Sequence, residues 1–117
     1  MAVTELASTP DFLHLQIHHN VTSPVEGEWI DVGPYWHGYI HYARTTSFTI
    51  TVRGSNKATK PLPSDDGVVV HTRTTTGLDA SVGVPLPRWI RVDVDAVTDP
   101  MWCWGKFLVA VPILEGL

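Results

Sequence analysis

Two runs toward the C-terminal end constrain this chain more than any other feature. In Arg88–Val97 (RWIRVDVDAV), Ile90, Val92, Val94 and Ala96 alternate with Trp89, Arg91, Asp93 and Asp95. In Trp102–Val111 (WCWGKFLVAV), Cys103, Gly105, Phe107, Val109 and Val111 form the apolar set. A period of two marks a strand with one buried face, because successive side chains point to opposite sides of a sheet. Only Thr98-Asp99-Pro100-Met101 separates the runs, so they read as a hairpin closed over a short loop. That register sets Val97 against Trp102, Ala96 against Cys103, Val94 against Gly105, Val92 against Phe107 and Ile90 against Val109. On the other face Asp93 meets Lys106, a favourable cross-strand charge pair. A slip of one residue would throw the two apolar sets onto opposite faces.

The rest of the chain repeats this grammar. Phe12–Asn20 alternates Leu13, Leu15 and Ile17 against His14, Gln16 and His18. Glu28–Val32 is a short strand stopped by Gly33-Pro34, and Tyr35–Tyr42 is an aromatic strand weakened by Gly38. Ser47–Gly54 turns Phe48, Ile50 and Val52 inward. Val68–Thr74 is rich in β-branched residues, and Leu78–Val84 is a further strand before Pro85 and Pro87. Between them, Ser55–Gly67 is a long polar loop without periodicity. No segment has helical spacing. Nine glycines and nine prolines punctuate the short runs, which favours an antiparallel sandwich over a helical or βαβ fold. The expectation is an all-β, antiparallel β-sandwich, jelly-roll-like, with seven or eight strands and essentially no helix. Residues 11–111 form the single domain, between a flexible N-terminal arm (1–10) and a C-terminal tail (112–117).

With 117 residues, 44% hydrophobic and 17% charged, the chain has material for one real core and is not of disordered composition. A formal charge of −4 with no basic run argues against nucleic acid as a partner. No apolar run approaches the roughly 20 residues of a membrane span. One cysteine excludes an intramolecular disulfide, and MAVTELASTP lacks the basic and apolar regions of a signal peptide. Synthesis in a cytoplasm is expected.

Motifs for chemistry are scarce. Among six histidines, His14 and His18 are four apart, as are His37 and His41. On strands that spacing spans roughly 13 Å at about 3.3 Å per residue, too far for one ion, so satisfied or surface histidines are the better reading and no metal is expected. Cys103 is a buried structural thiol by its parity. No nucleophile elbow, phosphate loop or dinucleotide-binding glycine pattern occurs. Asp65-Asp66 reads as a solvated turn, and Asn20-Val21-Thr22 as a chance sequon. The chain is read as a non-enzyme without a cofactor.

The aromatic residues say more. If Phe107 faces the core, Trp102 and Trp104 face away from it, as does Trp89. Aromatic bulk on an outer face points to a covered surface, and stacked aromatics would also serve as a sugar platform. The residues assigned to an interface are Trp89, Trp102, Trp104, Trp36, Tyr39, Arg53, Asn56 and Lys57.

The second half also carries a resemblance. Strand Ser47–Val52 runs into Arg53-Gly54-Ser55-Asn56; after a long loop comes Pro85-Leu86-Pro87-Arg88-Trp89-Ile90-Arg91-Val92, and then a closing hydrophobic strand. Over roughly Ile30 to Val111 this resembles the small β-sandwich structural proteins of tailed bacteriophages. It departs from them where Lys57-Ala58-Thr59-Lys60-Pro61 follows Asn56. The resemblance implies a virion structural protein, most of all a decoration (cement) protein that binds the outer capsid lattice and cross-links capsomers. It implies the major capsid protein as partner, self-association with a trimer favoured over a dimer, and many weak contacts summed by avidity. A carbohydrate-binding module with a glycan partner, or a minor tail or neck component, are the alternatives.

Overall fold

Short apolar runs bounded by glycine, proline and polar clusters become strands, and none of the described residues is helical. The computed structural model describes residues 3–8, 12–35, 37–43, 48–75, 79–97 and 100–108. They form β1 (Thr4–Ser8), β2 (Phe12–Val21), β3 (Ile30–Asp31), β4 (His37–Ala43), β5 (Phe48–Ser55), β6 (Val68–Thr75), β7 (Asp79–Pro85), β8 (Trp89–Ala96) and β9 (Met101–Leu108). Apart from the two-residue β3, these are the eight strands at the upper end of the expected count.

The strands build two antiparallel sheets, ordered β1-β2-β9-β4-β7 and β3-β8-β5-β6. β2 lies beside β9, β3 beside β8, β4 beside β7 and β5 beside β6. This nested pairing is that of one long hairpin turned between β5 and β6, then rolled so that successive pairs fall in alternate sheets. The β4–β9 and β5–β8 ladders close each sheet. The result is a jelly roll, with β1 as an added edge strand.

The hairpin expected between the last two strands does not form. β8 lies between β3 and β5 in one sheet and β9 between β2 and β4 in the other. Period two identifies the buried face of a strand but not the strand at its edge. Ile90, Val92 and Val94 are buried, as are Cys103 and Phe107, yet the two sets belong to facing sheets of one core. The Asp93–Lys106 pair is likewise replaced. Asp93 binds Arg91 and Arg53, while Lys106 lies 4.8 Å from the centre of the Phe12 ring.

Two further expectations change. Thr4–Ser8, placed in a flexible arm, is hydrogen-bonded along β2 as an edge strand. It is largely exposed and held by main-chain bonds, so no apolar period announces it. His18, expected outside with His14 and Gln16, is completely buried. Gln16 pairs with Trp104 and His18 with the adjacent Cys103, so β2 carries an extra residue there. Such a bulge turns successive side chains to one side, and Ile17 and His18 both point inward. Around them pack Ile40, Tyr42, Ile50, Val52, Val92, Met101 and Phe107, all essentially without exposure. Gly105 is required at this crowding: a Cβ there would come 2.8 Å from Ile17 and 2.9 Å from Phe107.

Candidate binding face on the five-stranded sheet

The outer face of the four-stranded sheet is closed by the chain itself. From Trp89 to Val94 every residue of β8 is buried, including Arg91, 1% exposed, and Asp93, 4% exposed. Two residues apart on one strand, they share a face and pair through two hydrogen bonds of 2.9 Å. Asp93 also accepts from Arg53 Nε at 2.9 Å and from the Gly27 amide at 3.0 Å. Arg91 binds Asp66 at 3.0 Å and the carbonyls of Pro63 and Asp65 at 3.3 and 3.4 Å. All five guanidinium donors are thereby used, and the group lies 5.3 Å from the centre of the Trp29 ring. Burial works against its charge, but the carboxylates of Asp93 and Asp66 outweigh it and hold its pKa above the ordinary arginine value.

This network pins the long polar loop, residues 56–67, over the sheet. Lys57 pairs with Asp65, whose carboxylate also accepts from the Gly67 amide. Those contacts hold Asp65 below the usual carboxylate range, Lys57 contributing most. Trp89 Nε1 donates to the Lys57 carbonyl and the Arg88 amide to Asn56 Oδ1. Asp65-Asp66, read as a solvated turn, therefore belongs to a structural clasp. So do Trp89 and Arg53, with Asn56 and Lys57 on its exposed rim. Trp36 lies outside the described residues.

Among the described residues, the five-stranded sheet has no such cover. Its alternation sends Ile40 and Tyr42 of β4 and Cys103 and Phe107 of β9 inward, leaving Tyr39, His41, Trp102, Trp104 and Lys106 outward. β2 adds His14 and Gln16. The register aligns these residues in rows: His14, Lys106 and Tyr39 in one, Gln16, Trp104 and His41 in the next. Edge-to-face contacts join the rings, His41 to Trp104 at 5.7 Å, His37 to Tyr39 at 4.8 Å and His19 to Trp102 at 6.4 Å. Tyr39 is 45% exposed, and Trp102 and Trp104 are half-buried. A shallow concavity of about 540 Å³ opens here, lined by His14, Tyr39, His41, Trp104, Gly105 and Lys106. Three of the residues assigned to an interface, Tyr39, Trp102 and Trp104, thus share one uncovered face. His14, His37 and His41 join them, which strand parity alone places there.

The rings and imidazoles of this face offer stacking and hydrogen bonding. Burial pushes the Cys103 thiol up, away from the thiolate a nucleophile needs. Among the described residues no three His, Cys, Asp or Glu side chains gather as metal ligands. His18 Nε2 donates to the Val92 carbonyl at 2.7 Å, tying β2 to the opposite sheet. Burial holds this imidazole's pKa below its ordinary value, against the pull of that bond.

No family model and no curated protein matches the chain. Among solved structures it is similar to YomS, a protein derived from the SPBc2 prophage, with 18% identity over 88% of this chain and 97% of that one and a TM-score of 0.63. It is also similar to an RmlC-like cupin protein from Desulfovibrio desulfuricans, with 11% identity, coverage of 91% and 80% and a TM-score of 0.51. A Bacillus endospore appendage protein, from appendages described as disulfide-linked pili, shares 11% identity over 93% and 90%, with a TM-score of 0.50. At these identities the likeness is one of fold, and a jelly roll hosts many functions.

Proposed function

We propose that the protein is a structural component of a tailed-phage virion, a decoration protein bound to the outer capsid lattice. The observation that carries this reading is a rigid roll matching nearly the whole of a prophage-derived protein in fold. A decoration protein docks as a preformed body, and the Arg91 clasp makes the four-stranded side such a body. Among the described residues, that side bears the most exposed large apolar side chains, Leu62 at 69%, Val68 at 72% and Val69 at 51%. Asn56 and Val68 also border a groove of about 430 Å³. Apolar groups held outward at this level mark contact surfaces, so this side takes the capsid protein and the aromatic face looks away from the lattice. Purified particles test the reading by quantitative mass spectrometry. Copy numbers comparable to the major capsid protein are expected; a few copies per particle would move the protein to the tail or neck, and its absence would remove the virion role.

A second reading, a carbohydrate-binding module, is favoured by one feature, the aromatic concavity on the opposite face. The two are compatible in one molecule, with one face docking and the other binding.

A further inference from the structure

The concavity on the five-stranded sheet has a charge opposite to that of the chain around it. We infer that it binds an acidic oligosaccharide, the sugar rings over Trp104 and Tyr39 and a carboxylate toward Lys106. This rests on the carbohydrate reading of that face and is independent of the capsid role. Shape comes first. The volume of about 540 Å³ lies within the range of small-ligand sites, but the depression is shallow and open along the sheet. That suits a chain lying across it better than a compact ligand enclosed within it. On β7 the register sets Gly83 beside Tyr39 and Ser81 beside His41.

The rings come next. Trp104 and Tyr39 stand on adjacent strands, one row apart, and His41 and His37 brace them edge-on. Fixed aromatic faces lose little freedom on binding, and His14 and the Tyr39 hydroxyl line the concavity as hydrogen-bonding groups for sugar hydroxyls. Charge then selects among saccharides. The lining holds Lys106 and two imidazoles but no carboxylate, in a chain with twelve acidic and eight basic residues. Three of those acids, Asp65, Asp66 and Asp93, are committed to the clasp around Arg91 and Lys57 on the other side. A local cationic spot in an acidic protein attracts anions and repels little that is neutral.

The test uses the full-length protein, calorimetry and tryptophan fluorescence, with tetragalacturonate as acidic probe, cellotetraose as neutral probe and poly-L-glutamate as non-sugar polyanion. Tetragalacturonate should bind about tenfold tighter than cellotetraose at low salt, an advantage that shrinks as salt screens it. Lys106→Gln should bring the ratio of the two affinities close to one. Trp104→Ala should abolish both, and Trp104→Phe should retain most of each. Equal affinity for the two saccharides, or a Lys106→Gln variant with the preference intact, would overturn the charge assignment. Binding of neither saccharide, or tighter binding of poly-L-glutamate, would overturn the saccharide itself and make this face a protein-binding one. Particle copy number moves with none of these outcomes, so the capsid reading stands or falls separately.

Discussion

The two sheets of the roll solve the same problem by opposite means. Each has an inner face that makes the core and an outer face that meets something else. On the four-stranded sheet that something is the chain itself. Arg91 and Asp93 stand where solvent-facing residues belong, and the 56–67 loop folds back over them until both are buried. On the five-stranded sheet the outer residues of β2, β4 and β9 are mostly aromatic and imidazole, with Gln16 and Lys106, and no loop crosses them among the described residues. Charge was placed where it would be sealed, and apolar rings where they stay open. Ordinary economy would do the reverse, since burying ions costs several kcal/mol each before pairing. The arrangement makes sense if the sealed side must be rigid and the open side must be available.

Removing one partner of the sealed cluster should have the largest effect. Asp93→Asn leaves Arg91 and Arg53 facing an uncharged amide in a buried site, a loss of about 3–5 kcal/mol. Urea unfolding should show it, together with faster tryptic cleavage after Lys57 as the loop loosens. Cleavage unchanged at full destabilisation would mean the loop is not held by the clasp. A smaller loss, about 1–3 kcal/mol, is expected for Gly67→Ala. Gly67 sits at φ +56°, and a Cβ there would come 2.4 Å from the Gly54 carbonyl oxygen. Near-neutral unfolding of that variant would show that the turn can relax without disturbing the loop.

The same contrast explains what could and could not be read from residues alone. Parity along each strand was legible: Ile90, Val92, Val94, Cys103 and Phe107 are inside as alternation requires. So were the sandwich and the outward side of Trp102 and Trp104 on β9, whereas Trp89, read as outward with them, is buried beneath the polar loop. Parity carries no information about edge partners, however, and the nearest run in sequence proved to be in the other sheet. In a jelly roll most pairings join distant segments, so proximity along the chain misleads. Arg91 and Asp93 looked like a solvent face because their cover, the polar loop, has no periodicity of its own. His18 was misplaced because a bulge shifts parity by one without leaving a mark in composition. The concavity needed side-chain positions from three strands, β2, β4 and β9, that no spacing rule brings together.

His18 bridges the two halves of this comparison, since it belongs to the five-stranded sheet and bonds to β8 of the other. Its folded pKa lies below the 6.5 of the unfolded imidazole because burial disfavours the cation. The unfolded chain therefore binds the proton first as pH falls. The contribution is fully present above pH 6.5 and is lost as pH drops from there through the folded value. Stability to urea should decline from pH 8 to pH 5.5, and His18→Gln, which can still donate to the Val92 carbonyl but does not titrate, should flatten that slope. An equal slope in the variant would show that His18 does not carry the acid sensitivity.

The smallest effects are expected on the open face, and their smallness is the point. Trp104→Ala and Trp102→Ala remove half-buried rings that touch His41 and His19 but no part of the core. Each should cost about 1 kcal/mol or less in urea unfolding, in the range of surface substitutions, with an unchanged far-ultraviolet spectrum. Against about 3–5 kcal/mol for Asp93→Asn, that gap would separate a face kept for contact from one kept for folding. A loss at Trp104 as large as at Asp93 would erase the distinction, because the ring would then be part of the fold's own support. Trp102 is the sharper control of the two. It lies on the same strand face as Trp104 but outside the lining of the concavity, so equal stability costs at both positions with a binding loss only at Trp104 would show that location on the face, rather than aromatic bulk, decides what the face does.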